Sequence, residues 1–375
     1  MGKPVDPGKY AEECERKEDE IMKKQMLRKT AALGLAAAMM LMAAGCGNMA
    51  ETEAAAETKD TTEAAAAAAA EGEETTAAEE GEASGKTYQI GVLQFVQHSA
   101  LDKCNEGFIE ALNASGISYE ADQQNAAGET ASCTTIAQKF VNDGKDLIFA
   151  IATPAAQAAA AETGDIPIVL TGVTDPAASG LVDTNEAPGG NVTGSSDLTP
   201  VAAQIKLLKE ILPDAKKVGV LYCSAESNSE IQAKLAHEAC EAEGLEAVDY
   251  TVSTSNDIQT VVESMVGNVD AIYAPTDNVI AAGMPTVSMI ATENKLPVIA
   301  GEEGMVQNGG LATYSIDYKE LGKLAGTMAV EILKDGKNPA EMPIQYYPSD
   351  KLQLVVNDEI AAELGIDVSG IEAAE

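Results

Sequence analysis

Short apolar runs of strand length alternate with longer stretches of helical spacing from residue 88 to residue 366. The first run, 88–96, predicts a strand buried in a parallel sheet. In 99–113, Leu101, Phe108, Ile109 and Leu112 fall at helical spacing, and Gly116 stops that helix. The pattern then predicts strand 117–122, helix 130–141, strand 147–152, a helix opening at Thr153-Pro154, strand 166–170 and a short strand at 191–194. Thr as N-cap and Pro at the first helical position make a strong start signal. Ser195, Ser196 and Asp197 read as a hinge.

A helix at 200–212 follows, and from Lys216 the series begins again. The second series predicts strand 218–222, helix 229–243, strand 247–252, helix 257–266, strand 271–274, a helix after Asp277 and strand 298–300. The two series correspond segment by segment. Residues 146–159 (DLIFAIATPAAQAA) answer residues 270–283 (DAIYAPTDNVIAAG). Ile90 and Val218 are 128 residues apart, Asp146 and Asp270 124, Pro167 and Pro297 130. Two similar α/β lobes leave a cleft between them. Residues 309–316 are expected to cross back to the first lobe, and helix 319–334 to complete it. Residues 346–356 are expected to cross again, with helix 359–364 finishing the second lobe. The expected fold is α/β, two doubly wound parallel-sheet lobes with three hinge crossovers. The expected limits are 87–196 plus 314–344 for lobe one, and 197–313 plus 345–370 for lobe two.

Composition changes the picture at the amino end. Of the 375 residues, 60 are acidic and 24 are Lys or Arg, a net charge of −36. So acidic a chain repels nucleic acid and anionic lipid headgroups. Much of the acidity lies in 46–86, a stretch rich in Ala, Glu and Thr with a seven-Ala run and no apolar periodicity. It reads as a disordered tether. Before it, residues 1–45 hold an N-terminal extension and an export signal. Lys23, Lys24, Arg28 and Lys29 precede a fourteen-residue apolar stretch, shorter than a membrane span, that ends at Ala43-Ala44-Gly45-Cys46. Small residues before Cys46 resemble a bacterial lipobox, which implies a lipidated Cys46 on the outer side of the cell membrane. The charged residues 1–25 suggest that the true start is Met22 or Met26. Cys104, Cys133, Cys223 and Cys240 match no zinc spacing and are expected as buried free thiols.

In open parallel sheets ligands bind at the carboxyl ends of the strands. Those ends carry His98 and Ser99, Thr153, Thr174 and Asp175, Asn228 and Ser229, Thr276, Asp277 and Asn278, and Glu303. The helix opening at Thr153 offers free N–H groups at Ala155 and Ala156, which favour a carboxylate, although plain capping accounts for the same residues. Asp277 with Thr276 and Asn278 is a candidate acceptor for an ammonium group, or only an N-cap. Asp197 sits at the hinge, where a carboxylate can face the cleft. A helix N-terminus opposite a carboxylate suits a zwitterion such as an α-amino acid. Phe95, Tyr222, Tyr273 and Tyr314 are candidates for stacking on an aromatic side chain, and each is equally a core residue. With two His far apart and no G-x-S-x-G elbow, a hydrolase triad is not supported. No cofactor and no metal are expected.

Residues 96–102 (VQHSALD), 152–157 (ATPAAQ), 171–176 (TGVTDP), 194–199 (GSSDLT), 275–278 (PTDN) and 304–318 resemble ABC-transporter substrate-binding lipoproteins of the tryptophan/tyrosine-binding type. The resemblance spans about 88–366. It implies a type I periplasmic-binding-protein fold and capture of a small solute, often an aromatic amino acid. The implied partners are a permease and an ATPase, and a monomer is expected. Two rival classes remain. An enzyme needs a phosphate-binding turn or acidic metal motif after the first strand, and 93–102 (LQFVQHSALD) has neither. A ligand-sensing lipoprotein presenting its solute to a membrane receptor is the other alternative.

Overall fold

A computed structural model describes residues 86–371. The tether, the export signal and Cys46 lie outside the described residues. Two six-stranded sheets form the frame. The first takes β1 (Tyr88–Gln94), β2 (Tyr119–Asn125), β3 (Leu147–Ile151), β4 (Ile168–Val173) and β5 (Val192–Ser196) in the parallel order β2-β1-β3-β4-β5. The second repeats that order with β6 (Lys217–Cys223), β7 (Glu246–Val252), β8 (Ala271–Ala274), β9 (Val298–Ala300) and β10 (Ala312–Ser315). Each sheet then gains one strand from the carboxyl-terminal segment. β11 (Gln345–Tyr346) runs parallel to β5, and β12 (Gln353–Val356) antiparallel to β10.

Burial follows strand position. Central β3 and β4 are buried at every residue, as an apolar run sandwiched by helices requires. Edge strand β2 (YEADQQN) leaves its outer face in water. The helices are α1 (Ser99–Ser115), α2 (Thr130–Asn142), α3 (Thr153–Glu162), α4 (Val201–Ile211), α5 (Ser227–Ala242), α6 (Ile258–Met265), α7 (Asn278–Glu293), α8 (Glu303–Gln307), α9 (Tyr318–Asp335) and α10 (Asp358–Leu364). Ile90, Phe108, Phe149 and Leu321 belong to the first lobe's core. Val220 and Tyr273 lie in one cluster of the second lobe, Leu221 and Ile272 in another.

Helix α9 is drawn to the first lobe by close packing on α1. A Cβ on Gly107 would stand 2.0 Å from the Lys319 carbonyl oxygen, and one on Gly322 equally close to that of Cys104. Only glycine permits such an approach of two backbones.

Three segments join the lobes: 197–200, then 316–317, then 347–352. Two of the expected lobe limits need correction. Residues 312–315 stay in the second sheet as β10, so the return crossover follows Ser315 and not residue 313. The repeat explains this, since β10 is to the second lobe what β5 is to the first. Residues 345–346 pair with Ser195 and Ser196 in the first sheet, so the last crossover follows Tyr346. The strand at 192–196 also extends over both hinge serines. Cys104, Cys133, Cys223 and Cys240 are buried and free.

Candidate functional site

The carboxyl ends of both sheets face a small, nearly filled cavity with about 10 Å³ of room, enough for roughly one water. Lobe one contributes His98, Ala100 and Leu101 after β1, Gly172 and Thr174 around the end of β4, Asp197 after β5, and Tyr318 at the start of α9. Lobe two contributes Asn228 from α5, Thr276 to Asn278 and Ala281 after β8, and Glu302 after β9.

Polar bridges tie the lobes across this space. His98 Nε2 lies 3.3 Å from Asn278 Oδ1. Gln232 Nε2 donates to Thr174 Oγ1 at 3.0 Å and, within its own lobe, to Thr276 Oγ1. Gln157 Nε2 reaches Ser227 Oγ at 3.4 Å, and Lys103 Nζ pairs with Glu303 Oε2 at 2.8 Å. The lobes are therefore closed upon each other.

Four carboxyl groups crowd the site with no Lys or Arg in its lining. Burial pushes Asp197 up to about 6, against neighbouring Thr174 and its own backbone N–H, which favour the charged form. Burial pushes Glu302 up to about 7, opposed by the N–H groups of Gly304 and Met305 that it caps. Glu226, beneath Asn228 and Asn278, is raised by burial and then by the charge of Asp277. Asp277 is raised by burial as well. Burial disfavours charge on this acidic cluster, and a cation placed among the carboxyls favours their ionised forms.

Several buried polar atoms at the site have no hydrogen-bond partner: His98 Nδ1, Asp197 Oδ1, Asn228 Oδ1 and Tyr318 OH. Tyr318 stands close enough to Asp197 to favour its charged form without completing a hydrogen bond. Buried polar groups are normally paired, so a cluster of orphans marks where a ligand's polar atoms fit. Helix α1 also opens here. His98 makes no side-chain cap, and the first-turn residues Ala100 and Leu101 line the cavity. Its uncapped N–H groups and partial positive charge suit a carboxylate.

Of the residues singled out from the sequence, His98, Thr174, Asp197, Asn228, Thr276, Asp277 and Asn278 come together on the lining. The others sit elsewhere. Asp277, although on the lining, is committed to its own lobe: it accepts from Cys223 N at 2.6 Å, Ser229 Oγ at 2.7 Å and Ile280 N at 2.8 Å. That is the N-cap role, and Ser229 serves it. Asp175 accepts from Ala177 N, Ala178 N and Asn185 Nδ2 and braces its own loop. Ser99 packs against Gly304 of the other lobe. Thr153, Ala155 and Ala156 are buried in α3 off the lining, and the cap residue there is Ala152, at a φ of +83°, with no side-chain cap. Glu303 turns to Lys103, and its neighbour Glu302 faces the cavity instead.

Gln232 and Tyr318 were not legible from strand-end reasoning, whereas Glu226 and Glu302 lie at strand ends that it reaches. Tyr318 follows the second crossover directly, as Asp197 opens the first. The aromatic residue on the lining is Tyr318. Phe95, Tyr273 and Tyr314 are core, with Tyr273 OH bonded to Gln204.

Comparison with known proteins gives the family of the chain. Residues 89–371 match the model of the family described as ABC transporter substrate binding protein. A tyrosine-binding protein of Clostridioides difficile (strain R20291) is 44% identical over 280 residues, 74% of this chain and 80% of that one. An ABC domain from Streptococcus pneumoniae, solved in complex with L-Trp, is 38% identical with a TM-score of 0.74, covering 76% of this chain and 97% of that one. A ligand-free, open substrate binding protein with adhesive properties from Clostridium difficile is 44% identical over the same shares, yet its TM-score is 0.59. Greater identity with poorer superposition is what a different lobe arrangement produces, and it agrees with the closed lobes found here. Among the described residues, no helix is long and apolar enough to cross a membrane. The chain belongs to the ABC transporter substrate binding protein family, as an α/β protein of type I periplasmic-binding-protein fold.

Proposed function

We propose that this protein is the extracytoplasmic solute-binding component of an ABC importer and captures an α-amino acid with an aromatic side chain. The observation that carries the reading is that Asp197, a buried carboxyl with an orphan oxygen, and the uncapped amino end of α1 line the same small cavity. Asp197 and Asn228 Oδ1 accept from the ligand's ammonium, and α1 with Tyr318 OH donates to its carboxylate. The tyrosine-binding relative and the L-Trp-bound neighbour support an aromatic side chain. Contacts to both lobes favour closure, which excludes water and strengthens each polar contact. The permease and ATPase then read the closed form, and lipidated Cys46 holds the protein at the membrane.

Thermal unfolding of the full-length chain with amino acids, nucleosides and sugars tests the reading. A ligand at about a hundred times its Kd adds about 2.7 kcal/mol of stability. Stabilisation by aromatic amino acids and not by sugars is expected. Stabilisation by none of the amino acids would sink the zwitterion assignment.

A further inference from the structure

The orphan Nδ1 of His98 has a defined chemistry, because a chain of hydrogen bonds across the cleft fixes the ring. Glu226 is held first. Its Oε1 accepts from Val279 N at 3.2 Å, and its Oε2 from Asn228 Nδ2 at 3.2 Å. Asn278 Nδ2 also donates to Glu226 Oε2, so the Asn278 amide is oriented with Oδ1 toward His98. A carbonyl oxygen can only accept, so His98 Nε2 carries the proton. Burial holds the ring neutral, with its pKa down at about 4. A neutral imidazole has one N–H, which leaves Nδ1 as a bare acceptor, sealed from solvent and without a partner. A donor that the ligand brings would satisfy such an acceptor.

We infer that His98 is a specificity-determining residue whose Nδ1 accepts a hydrogen bond from the ligand's side chain, so that the cleft selects tyrosine or tryptophan over phenylalanine. The inference rests on the amino-acid reading above. Asp197 Oδ1 and Asn228 Oδ1 already supply acceptors for the ammonium. A phenolic O–H or indole N–H matches the remaining one. A site built to pair a polar atom rejects an analogue that leaves it unpaired.

Calorimetric titration of the full-length chain with L-tyrosine, L-tryptophan, L-phenylalanine and O-methyl-L-tyrosine tests this. Tyrosine or tryptophan should bind about tenfold or more tighter than phenylalanine, and O-methylation of tyrosine should abolish its advantage. His98→Gln can keep a donor toward Asn278 but removes the Nδ1 acceptor, and should bring the ratio to about one. His98→Asn places an oxygen near the Nδ1 position and loses the Asn278 contact. It should weaken all ligands and keep the ratio. Equal binding of tyrosine, tryptophan and phenylalanine by the unmodified protein would overturn the inference and leave the amino-acid reading standing. So would a His98→Gln protein weakened by one common factor for every ligand, which would assign Nδ1 to the ammonium. Failure of all four ligands to bind would remove both. The ligand series needs no variant, so it decides even where a variant does not fold.

Discussion

The two lobes share a frame and differ in how they end it. Asp146 and Asp270 hold equivalent places and do the same work. Asp146 accepts from Gln89 N at 2.7 Å, and Asp270 from Lys216 N at 2.8 Å and Lys217 N at 2.9 Å, each bracing the start of its first strand. At the other end of the strands the resemblance stops. After β8, Asp277 caps α7 with both oxygens engaged. After β3, Ala152 gives α3 no side-chain cap. Of the site's buried side-chain atoms lobe two leaves Asn228 Oδ1 without a partner, whereas lobe one leaves atoms of His98, Asp197 and Tyr318 unpartnered. Duplication preserves what folding requires, and the strand-end segments carry what binding requires. Lobe two's carboxylates are mainly structural, and lobe one's Asp197 is the one available to a ligand.

Exchanging those roles would break the comparison. Asp277→Ala should cost about 2–3 kcal/mol of stability, since it strands the Cys223 and Ile280 N–H groups and the Ser229 hydroxyl, while changing affinity little. Denaturant unfolding with calorimetric titration checks both halves. Asp197→Asn should do the reverse. It should weaken amino-acid binding by about 1.5–3 kcal/mol, the scale of a hydrogen bond to a charge, and leave the ligand-free protein at least as stable, because a carboxyl disfavoured by burial is gone. Loss of binding in the first variant and not the second would transfer the ammonium site to lobe two.

The acid cluster also sets a pH dependence. Asp197 and Glu302 have folded pKa values of about 6 and 7, above the values of about 3.9 and 4.3 they take unfolded, and Glu226 is raised in the same direction. The folded state therefore keeps protons that the unfolded state releases. This contribution is complete below about pH 4 and is lost as pH rises through 6 and then 7. Asp122, lowered chiefly by its bond to Lys139, and Asp270, lowered by the Lys216 and Lys217 N–H groups, act oppositely and lose their contribution in acid. Calorimetry of the ligand-free protein should find its highest unfolding temperature near pH 5, with stability falling steadily from there to pH 8. A Glu302→Gln variant with an unaltered profile would remove that residue from the account. The smallest effect is expected at the cleft rim. The Lys103–Glu303 pair is about one-third exposed, so Lys103→Ala should weaken binding by about 0.5 kcal/mol, and less in high salt.

Most of the frame was legible before any coordinates. The apolar runs mark nine of the ten strands of the two matching series, because buried parallel strands need continuous apolar residues and their order recurs. The exception was β10, read as a crossover. A four-residue strand (ATYS) carries no mark of which sheet it will join, and only its pairing with β9 and β12 decides that. The site was legible in part. Strand-end reasoning reaches His98, Thr174, Asp197, Asn228, Thr276, Asp277 and Asn278, since their places follow from topology. It does not reach Gln232 or Tyr318, which enter from a helix and a crossover.

The sequence by itself determined the repeat, the acidic surface and the residue types at the strand ends, because these depend on local order along the chain. Tertiary structure decided which carboxylate is spent on a helix cap and which remains available, and which of Glu302 and Glu303 turns inward. It also decided which side chain His98 meets across the cleft. The physical reason is that hydrogen-bond saturation is a property of neighbours. Asp277 is satisfied by groups 54 and 48 residues away, at Cys223 and Ser229, and His98 by one 180 residues away in the opposite lobe.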